Sequence, residues 1–124
     1  MKFSESLKKQ EDFSRVYRSG RSKANQLLVL YVLPNELGRN RLGISVSRKV
    51  GNSVIRHRIT RLIRESYRLS EEEFKIGFDF AVIARVRAKG TTYEEIRSAL
   101  LCLASGMHVT RNMPERERSV PERP

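Results

Sequence analysis

Cysteine and long apolar runs are scarce in this chain of 124 residues. Cys102 is the single cysteine, which excludes an internal disulfide and agrees with a reducing compartment. It lies in the apolar run "ALLCLA", where we expect a buried small residue rather than a nucleophile. No apolar run approaches the roughly 18 residues of a membrane span, and "MKFSESLKKQ" lacks a signal-peptide core. We therefore expect a soluble cytoplasmic protein.

Acidic residues are also few relative to basic ones. The chain has 25 lysines and arginines against 14 acids, which gives a net charge of +11 and a pI near 10.5. Solubility alone requires a net charge of only about 2–8. The excess predicts a polyanionic partner, with nucleic acid first and an anionic membrane surface second.

Proline is nearly confined to one end of the chain. Residues 110–124 hold three of the four prolines, alternating charges and almost no apolar side chains. Such a composition is typical of a disordered segment. We predict one folded domain over residues 1–109 and a disordered tail over 110–124.

Three segments have helical patterns. In "EDFSRVYRSG", apolar residues share one face at i, i+3, i+4 spacing, namely Phe13, Val16 and Tyr17. "RKVGNSVIRHRITRLIRESYR" predicts a long helix. In "GTTYEEIRSALLCLASG", Thr92 followed by Glu95 matches a capping box and marks the helix start.

Strand patterns separate these helices. "NQLLVLYVLP" and "FDFAVIARV" are rich in branched and aromatic residues. "RLGISVSRKV" alternates, and one of its faces holds only Gly43, Ser45 and Ser47, so we expect part of the sheet to be open to solvent or a ligand. Residues 1–10 are predicted to fray, and the Glu71–Glu73 run to be a solvated connector. The predicted fold is an α+β single-domain sandwich in the order α-β-β-β-α-β-α.

The long central helix is strongly basic on one side. Residues 48–68 contain six arginines, one lysine and one histidine against one acid, Glu65. At about 100° per residue, an apolar arc is formed by Ile55, Ile59, Leu62, Ile63 and Ser66. The opposite side, termed the cationic face, consists of His57, Arg61, Arg64 and Arg68.

Such a concentration of like charge opposes helix formation. Each i, i+3 or i, i+4 pair of arginines costs a few tenths of a kcal/mol. Residues 39–68 hold nine lysines and arginines against one acid. Phosphates would relieve this repulsion and release counterions, so we expect the cationic face to bind RNA. Arg48 and Lys49 precede the helix, and Asn52 or Ser53 can cap its start.

The segment "RLGISVSRKVGNSVIRHRITRLIRESYR" resembles the bacterial ribonuclease P protein subunit family. That family has a Gly-Asn-x-Val turn followed by an Arg-Asn-Arg helix that ends in Arg-x-x-Arg-Glu. The segments "EDFSRVYRSGRSKANQLLVLYVLP" and "FDFAVIARVRA…TTYEEIRSALLCL" extend the resemblance, which covers about 105 of the 124 residues. It implies a ribosomal protein S5 domain 2-like fold with a left-handed βαβ crossover, against the usual hand.

The resemblance implies a role in a ribonucleoprotein enzyme. Its catalytic RNA subunit removes the 5′ leader of precursor tRNA by phosphodiester hydrolysis and, with the substrate, holds the Mg²⁺ ions. The protein would bind the RNA subunit and the leader, broaden substrate use and lower the Mg²⁺ requirement. Alone, it is predicted to be inactive, with no catalytic or metal-binding residues of its own. The implied partners are the RNA subunit and precursor tRNA, without a membrane or an obligate protein partner.

The family motif implies a role for two groups of residues. The RNA-binding group comprises Arg48, Lys49, Asn52, Arg56, His57, Arg58, Arg61, Arg64 and Arg68. The group lining the leader cleft comprises Phe13, Tyr17, Tyr31 and Ser45, where base stacking is the expected contact. From pattern alone, Phe13 would equally be a core residue. The chain departs from the motif at His57, where the family has Asn, and at Thr60, where Lys is common.

Other functions are weighed against this one. A protein-only nuclease would need an acid/base pair or carboxylates at metal-ligand spacing, and no such spacing is recognisable. A generic RNA-binding, ribosomal-type or DNA-binding protein is the main alternative, although no short helix-turn-helix pair precedes the basic helix. An amphipathic membrane helix is disfavoured because the apolar arc lacks aromatic anchors.

Overall fold

The computed structural model describes residues 4–111, which form three helices and one sheet. The strands are β1 (Ser4–Ser6), β2 (Arg21–Ala24), β3 (Leu28–Pro34), β4 (Asn40–Ser45) and β5 (Phe78–Ala84). The helices are α1 (Gln10–Ser19), α2 (Ser53–Leu69) and α3 (Tyr93–Gly106), and 3₁₀ turns lie at Glu71–Glu73 and Val86–Ala88. No helix in this described part is long and apolar enough to cross a membrane.

The sheet is mixed, with the strand order β1-β4-β5-β3-β2. β4 pairs in parallel with both β1 and β5, whereas β3 pairs antiparallel with β2 and β5. Because β4 and β5 are parallel neighbours, the chain must cross over between them, and α2 lies in that connection. The predicted α+β class and element order are confirmed, with one strand added at the start.

The two faces of the sheet carry different layers. Alternate residues of the central strands, such as Leu30, Phe80 and Val82, point toward α2 and α3 and form the main core. The opposite face is covered by α1, whose Val16 is buried with Leu7 and Ala81 in a smaller cluster. The main core fixes α2 on the sheet, and the smaller cluster fixes α1.

The prediction that residues 1–10 fray is wrong for Ser4–Leu7, and its first three residues lie outside the described residues. Ser4–Ser6 pair with β4, and the Leu7 amide donates to the Leu42 carbonyl at 2.8 Å. The Ser4 hydroxyl also lies 2.7 Å from the Tyr67 hydroxyl. A three-residue strand has no apolar periodicity of its own, so its stability comes from these tertiary contacts and from the buried side chain of Leu7.

Two further predictions about burial are wrong. Cys102 is exposed, because α3 buries Leu100, Leu103 and Ala104 and position 102 lies opposite that stripe. Glu71, expected in a solvated connector, is buried at the first position of its 3₁₀ turn.

The predicted tail is described only at its first two residues. Thr110 forms a bridge with Phe74, and the Arg111 amide donates to the Glu73 carbonyl at 2.6 Å. The rest of the predicted tail, 112–124, lies outside the described residues.

Candidate nucleic-acid interface

The start of α2 is fixed by its own turn. The Asn52 side chain accepts a hydrogen bond from the Ile55 amide at 3.0 Å, so this residue is the N-cap. Arg56 donates to the Gly51 carbonyl at 3.2 Å. In the preceding turn Val50 is buried, which leaves Arg48 and Lys49 exposed beside the helix start.

The inner side of α2 agrees with the predicted arc, with a small rotation. Ile59, Ile63 and Ser66 are buried, and Tyr67 is buried beside them although it lay outside the arc. Ile55 and Leu62 are only partly buried. The reason is aromatic packing: the Tyr67 ring lies 4.8 Å from that of Phe74 and 6.1 Å from that of Phe80.

The outer side of α2 is cationic, as predicted. His57, Arg58, Arg61, Arg64 and Arg68 are all exposed. Two of these side chains have intramolecular partners: Arg58 donates to the Thr91 carbonyl at 2.7 Å, and Arg68 pairs with Glu65 at 2.6 Å. The Arg68 hydrogen bond lowers the pKa of Glu65, so this carboxylate is charged at neutral pH.

Four basic residues of the interface form no close ion pair, although Glu65, one turn from Arg61 on α2, interacts with that arginine electrostatically. Within residues 4–111, no carboxylate forms an ion pair with Arg48, Lys49, Arg61 or Arg64. Protein surfaces commonly mix charges of both signs. These residues are therefore available to an external anion.

The four predicted cleft residues come together on the sheet face beneath α1. The Tyr17 ring lies 6.0 Å from that of Phe13 and 5.0 Å, edge-on, from that of Tyr31. Tyr17 is 37% exposed. Burial raises the pKa of its hydroxyl, and a hydrogen bond with the Ser45 side chain offsets part of that rise. We call Phe13, Tyr17, Tyr31 and Ser45 the aromatic cleft.

A glycine explains how Phe13 reaches the sheet. A β-carbon at Gly43 would overlap Cζ of Phe13, so only glycine permits this contact. The small face of β4 is thus partly covered by a ring, and the expectation that this face lies open is wrong at Gly43. At Ser45, where the strand continues, the face is partly exposed.

A buried carboxylate holds α1 over this face. Asp79 accepts two hydrogen bonds from Arg41, at 2.8 and 2.7 Å, and one from Asn35 at 2.9 Å. Arg15 of α1 lies 3.5 Å from Asp79 and 2.9 Å from Asp12. Burial would raise the pKa of Asp79, but the hydrogen bonds from Arg41 and Asn35 outweigh burial and hold it below its usual value.

A groove of about 270 Å³ connects the aromatic cleft with the cationic face. Arg64 of α2 and Lys8 line it together with Phe13, Gly43 and Ile44. It opens because β1 pairs only as far as Leu42, so the next residues of β4 pair with β5 on one edge but have no strand partner on the β1 edge among the described residues. One extended polyanion could therefore contact both surfaces.

Comparison with known proteins agrees with this geometry. A family model described as Ribonuclease P matches residues 1–108. The chain belongs to the ribonuclease P protein family. The ribonuclease P protein component of Lachnoclostridium phytofermentans is 59% identical over 101 residues, which are 82% of this chain and 87% of that protein. That of Alkaliphilus metalliredigens is 51% identical over 107 residues, 86% of this chain and 96% of that protein.

Solved structures of ribonuclease P proteins have the same fold. The Staphylococcus aureus protein superposes with a TM-score of 0.79 at 39% identity, covering 86% of this chain and 97% of that one. The Thermotoga maritima protein gives a TM-score of 0.74 at 30% identity, covering 79% of this chain and 93% of that one. The chain is therefore a protein subunit of ribonuclease P, with a role in tRNA processing and RNA binding, and a generic RNA-binding role is not favoured.

Sequence reasoning missed some residues that build this interface. Gly43, Asp79 and Arg41 shape the cleft, yet their partners are distant in the sequence: Arg41 lies 38 positions from Asp79, and Asn35 lies 44 positions from it. The i, i+3 spacing of Glu65 and Arg68 is a signal in the sequence for their ion pair. The hydrogen bond from Arg58 to the Thr91 carbonyl has no such signal. No group of three or more His, Cys, Asp or Glu residues that could hold a metal ion occurs among residues 4–111.

Proposed function

We propose that the cationic face of α2 binds the RNA subunit of ribonuclease P and that this RNA performs the hydrolysis. The single observation that carries the proposal is that Arg48 and Lys49, in the turn before α2, and Arg61 and Arg64, on α2, are exposed and form no ion pair within residues 4–111. Neutralising phosphates there releases counterions and removes the repulsion along the helix. Arg56, His57, Arg58 and Arg68 add donors beside them, and Asn52 orients the helix start.

We further propose that the aromatic cleft holds the 5′ leader of precursor tRNA. Tyr17 and Tyr31 present ring edges and faces on which unpaired bases can stack. Ser45 offers a hydroxyl, and the groove that Arg64 lines would carry the backbone between the two RNA contacts. Holding the leader apart from the tRNA body would make substrate use depend less on leader sequence.

In this proposal the Mg²⁺ ions are bound by the RNA subunit and the substrate. The protein lowers the Mg²⁺ requirement because its fixed cations screen phosphates that Mg²⁺ would otherwise neutralise. The chain itself supplies binding and orientation, and its partners are the RNA subunit and precursor tRNA, without an obligate protein partner. A cytoplasmic location follows from that role.

Reconstitution tests the proposal. Precursor-tRNA cleavage is measured at low Mg²⁺ with the cognate RNA subunit alone, the chain alone, and both together. We expect cleavage only with both, and recovery of the RNA-alone reaction when Mg²⁺ is raised. Cleavage by the chain alone that a point substitution abolishes would contradict catalysis by the RNA.

A variant pair makes the test specific. The double variant Arg61→Ala/Arg64→Ala should need more Mg²⁺ for the same rate, because two phosphate contacts are lost. The single variant Arg97→Ala removes an arginine of α3 that is paired with Glu73 at 3.9 Å and should behave like the parent chain. An equal effect of both would contradict a special role for the cationic face.

A further inference from the structure

A second groove lies on the other flank of the cationic side of α2, between this helix and the start of α3. Its volume is about 610 Å³, which falls within the range of sites for small organic ligands. Apolar lining comes from Val54, Leu62 and Tyr93, and basic lining from His57, Arg58 and Arg61. We call it the interhelical groove. It is separate from the aromatic cleft, whose residues come from α1, β3 and β4.

The core explains only part of the apolar lining, because Leu62 packs against it whereas Val54 does not. Val54 is 74% exposed, the highest value among the exposed large apolar residues of the described chain. Leu62 is only partly buried, and Tyr93 begins α3 with its ring partly exposed. Val54 and Leu62 lie on α2, one turn before and one turn after Arg58, and form the apolar part of one wall, whereas Tyr93 lines the groove from α3. A flat aromatic group against Tyr93 would bury the tyrosine ring and the nearer part of that wall.

Two groups of the polar lining, Arg58 and Glu65, are oriented in advance. Arg58 is held against α3 by its hydrogen bond to the Thr91 carbonyl at 2.7 Å, and Arg61 beside it has no ion pair within residues 4–111. Glu65, the one acid of the groove, is fixed by Arg68 at 2.6 Å. Its remaining lone pairs can accept hydrogen bonds from an exocyclic amino group.

We propose that the interhelical groove receives one unpaired nucleotide of a bound RNA. Its base lies between the Tyr93 ring and the Val54–Leu62 wall, and its phosphate lies against Arg58 and Arg61. A flat apolar ring joined to an anion is the chemistry that this combination of walls and charges fits. The inference rests on the proposed function, because it takes the RNA subunit or precursor tRNA as the source of that nucleotide.

Substitutions that separate stacking from charge test the proposal. Binding of the RNA subunit, and of precursor tRNA by the reconstituted complex, is measured for Tyr93→Ala and Tyr93→Phe as a function of salt. We expect Tyr93→Ala to weaken one of the two by about 5- to 100-fold, as loss of one stacked base does. Tyr93→Phe keeps the ring and should bind within about twofold of the parent chain. The salt slope should stay unchanged for both, because no phosphate contact is lost.

Two valine substitutions control for effects on folding. Val54→Ser removes part of the wall at a position that contributes little to the core, and it should weaken the same RNA. Val86→Ser changes a valine that is 57% exposed and lies outside the groove, and it should have no effect. Chemical probing should then find one unpaired base, in one of the two RNAs, that the parent chain protects and Tyr93→Ala leaves reactive.

The outcomes distinguish this inference from the proposed function. If Arg61→Ala flattens the salt slope while Tyr93→Ala and Val54→Ser bind both RNAs normally, the groove holds no nucleotide and the cationic face still binds RNA. If Tyr93→Ala weakens binding but no base changes its reactivity, the inference is also overturned. If Arg61→Ala and Arg64→Ala both leave the salt slope unchanged, the proposed function itself fails.

Discussion

At the scale of single residues, the buried carboxylate of Asp79 links β5 to Arg41 of β4 and to Arg15 of α1. We expect Asp79→Asn to lower the free energy of unfolding by about 3–5 kcal/mol, because it removes the buried carboxylate and leaves Arg41 only the longer ion pair with Asp12, at 3.5 Å. Urea unfolding at neutral pH measures this loss. Glu5→Gln breaks the exposed Arg39–Glu5 pair and should cost about 1 kcal/mol or less. Equal losses in the two variants would contradict the importance of burial.

The same carboxylate predicts a pH dependence. The pKa of Asp79 is lower in the folded chain than in the unfolded one, where it is about 3.9. Its stabilisation is therefore fully present above about pH 4 and is lost as the pH falls through the folded pKa. The stability difference between the parent chain and Asp79→Asn should shrink on acidification over that range. A difference that stays constant down to the lowest pH at which both fold would contradict the assignment.

We expect substitutions at Gly43 and Phe13 to have coupled effects on stability. Gly43→Ala should cost about 1–3 kcal/mol of stability, because the new methyl group displaces the Phe13 ring. In a Phe13→Ala background the obstacle is gone, so the same substitution should cost much less. The coupling is obtained from the unfolding free energies of the parent chain, the two single variants and the double variant. Strict additivity would mean that the ring does not lie over the glycine.

At the scale of elements, α2 owes its start to Asn52. Asn52→Ala should lower the free energy of unfolding by about 1 kcal/mol, because the Ile55 amide loses its acceptor. Asn52→Ser retains an acceptor and should recover most of that loss. Thermal unfolding of the three proteins measures the effect. The two variants would be equally stable if Asn52 served only as an RNA contact.

The elements that the sequence predicts well carry local signals. The capping box at Thr92 and Glu95 is present as expected, with both reciprocal hydrogen bonds. The inward positions of Ile59 and Ile63 follow from helical spacing alone. β1 has no such signal: the three residues Ser4–Ser6 become a strand only because Leu42 and Tyr67 offer hydrogen-bond partners. Local pattern predicts an element when its residues carry their own periodicity, and fails when tertiary contacts create it.

At the scale of the whole molecule, the sequence predicted which residues form the two candidate surfaces but not how these surfaces meet. Charge clustering indicated the cationic face, and the family resemblance indicated the aromatic cleft. Their connection past Arg64 depends on where β1 stops pairing, which no pattern in residues 39–68 encodes. The engagement of Arg58 by Thr91, 33 positions away, is likewise a tertiary fact. Only the structure therefore shows which basic side chains are available to bind RNA.

The salt dependence of RNA binding tests the central claim most directly. For the RNA subunit, the slope of log K against log salt is measured for the parent chain, Arg61→Ala, Arg64→Ala and Arg97→Ala. Each of the two α2 variants should reduce the slope by about one, because one phosphate contact is lost, and Arg97→Ala should leave it unchanged. Unchanged slopes for Arg61→Ala and Arg64→Ala, or an equal reduction by Arg97→Ala, would contradict RNA binding by the cationic face.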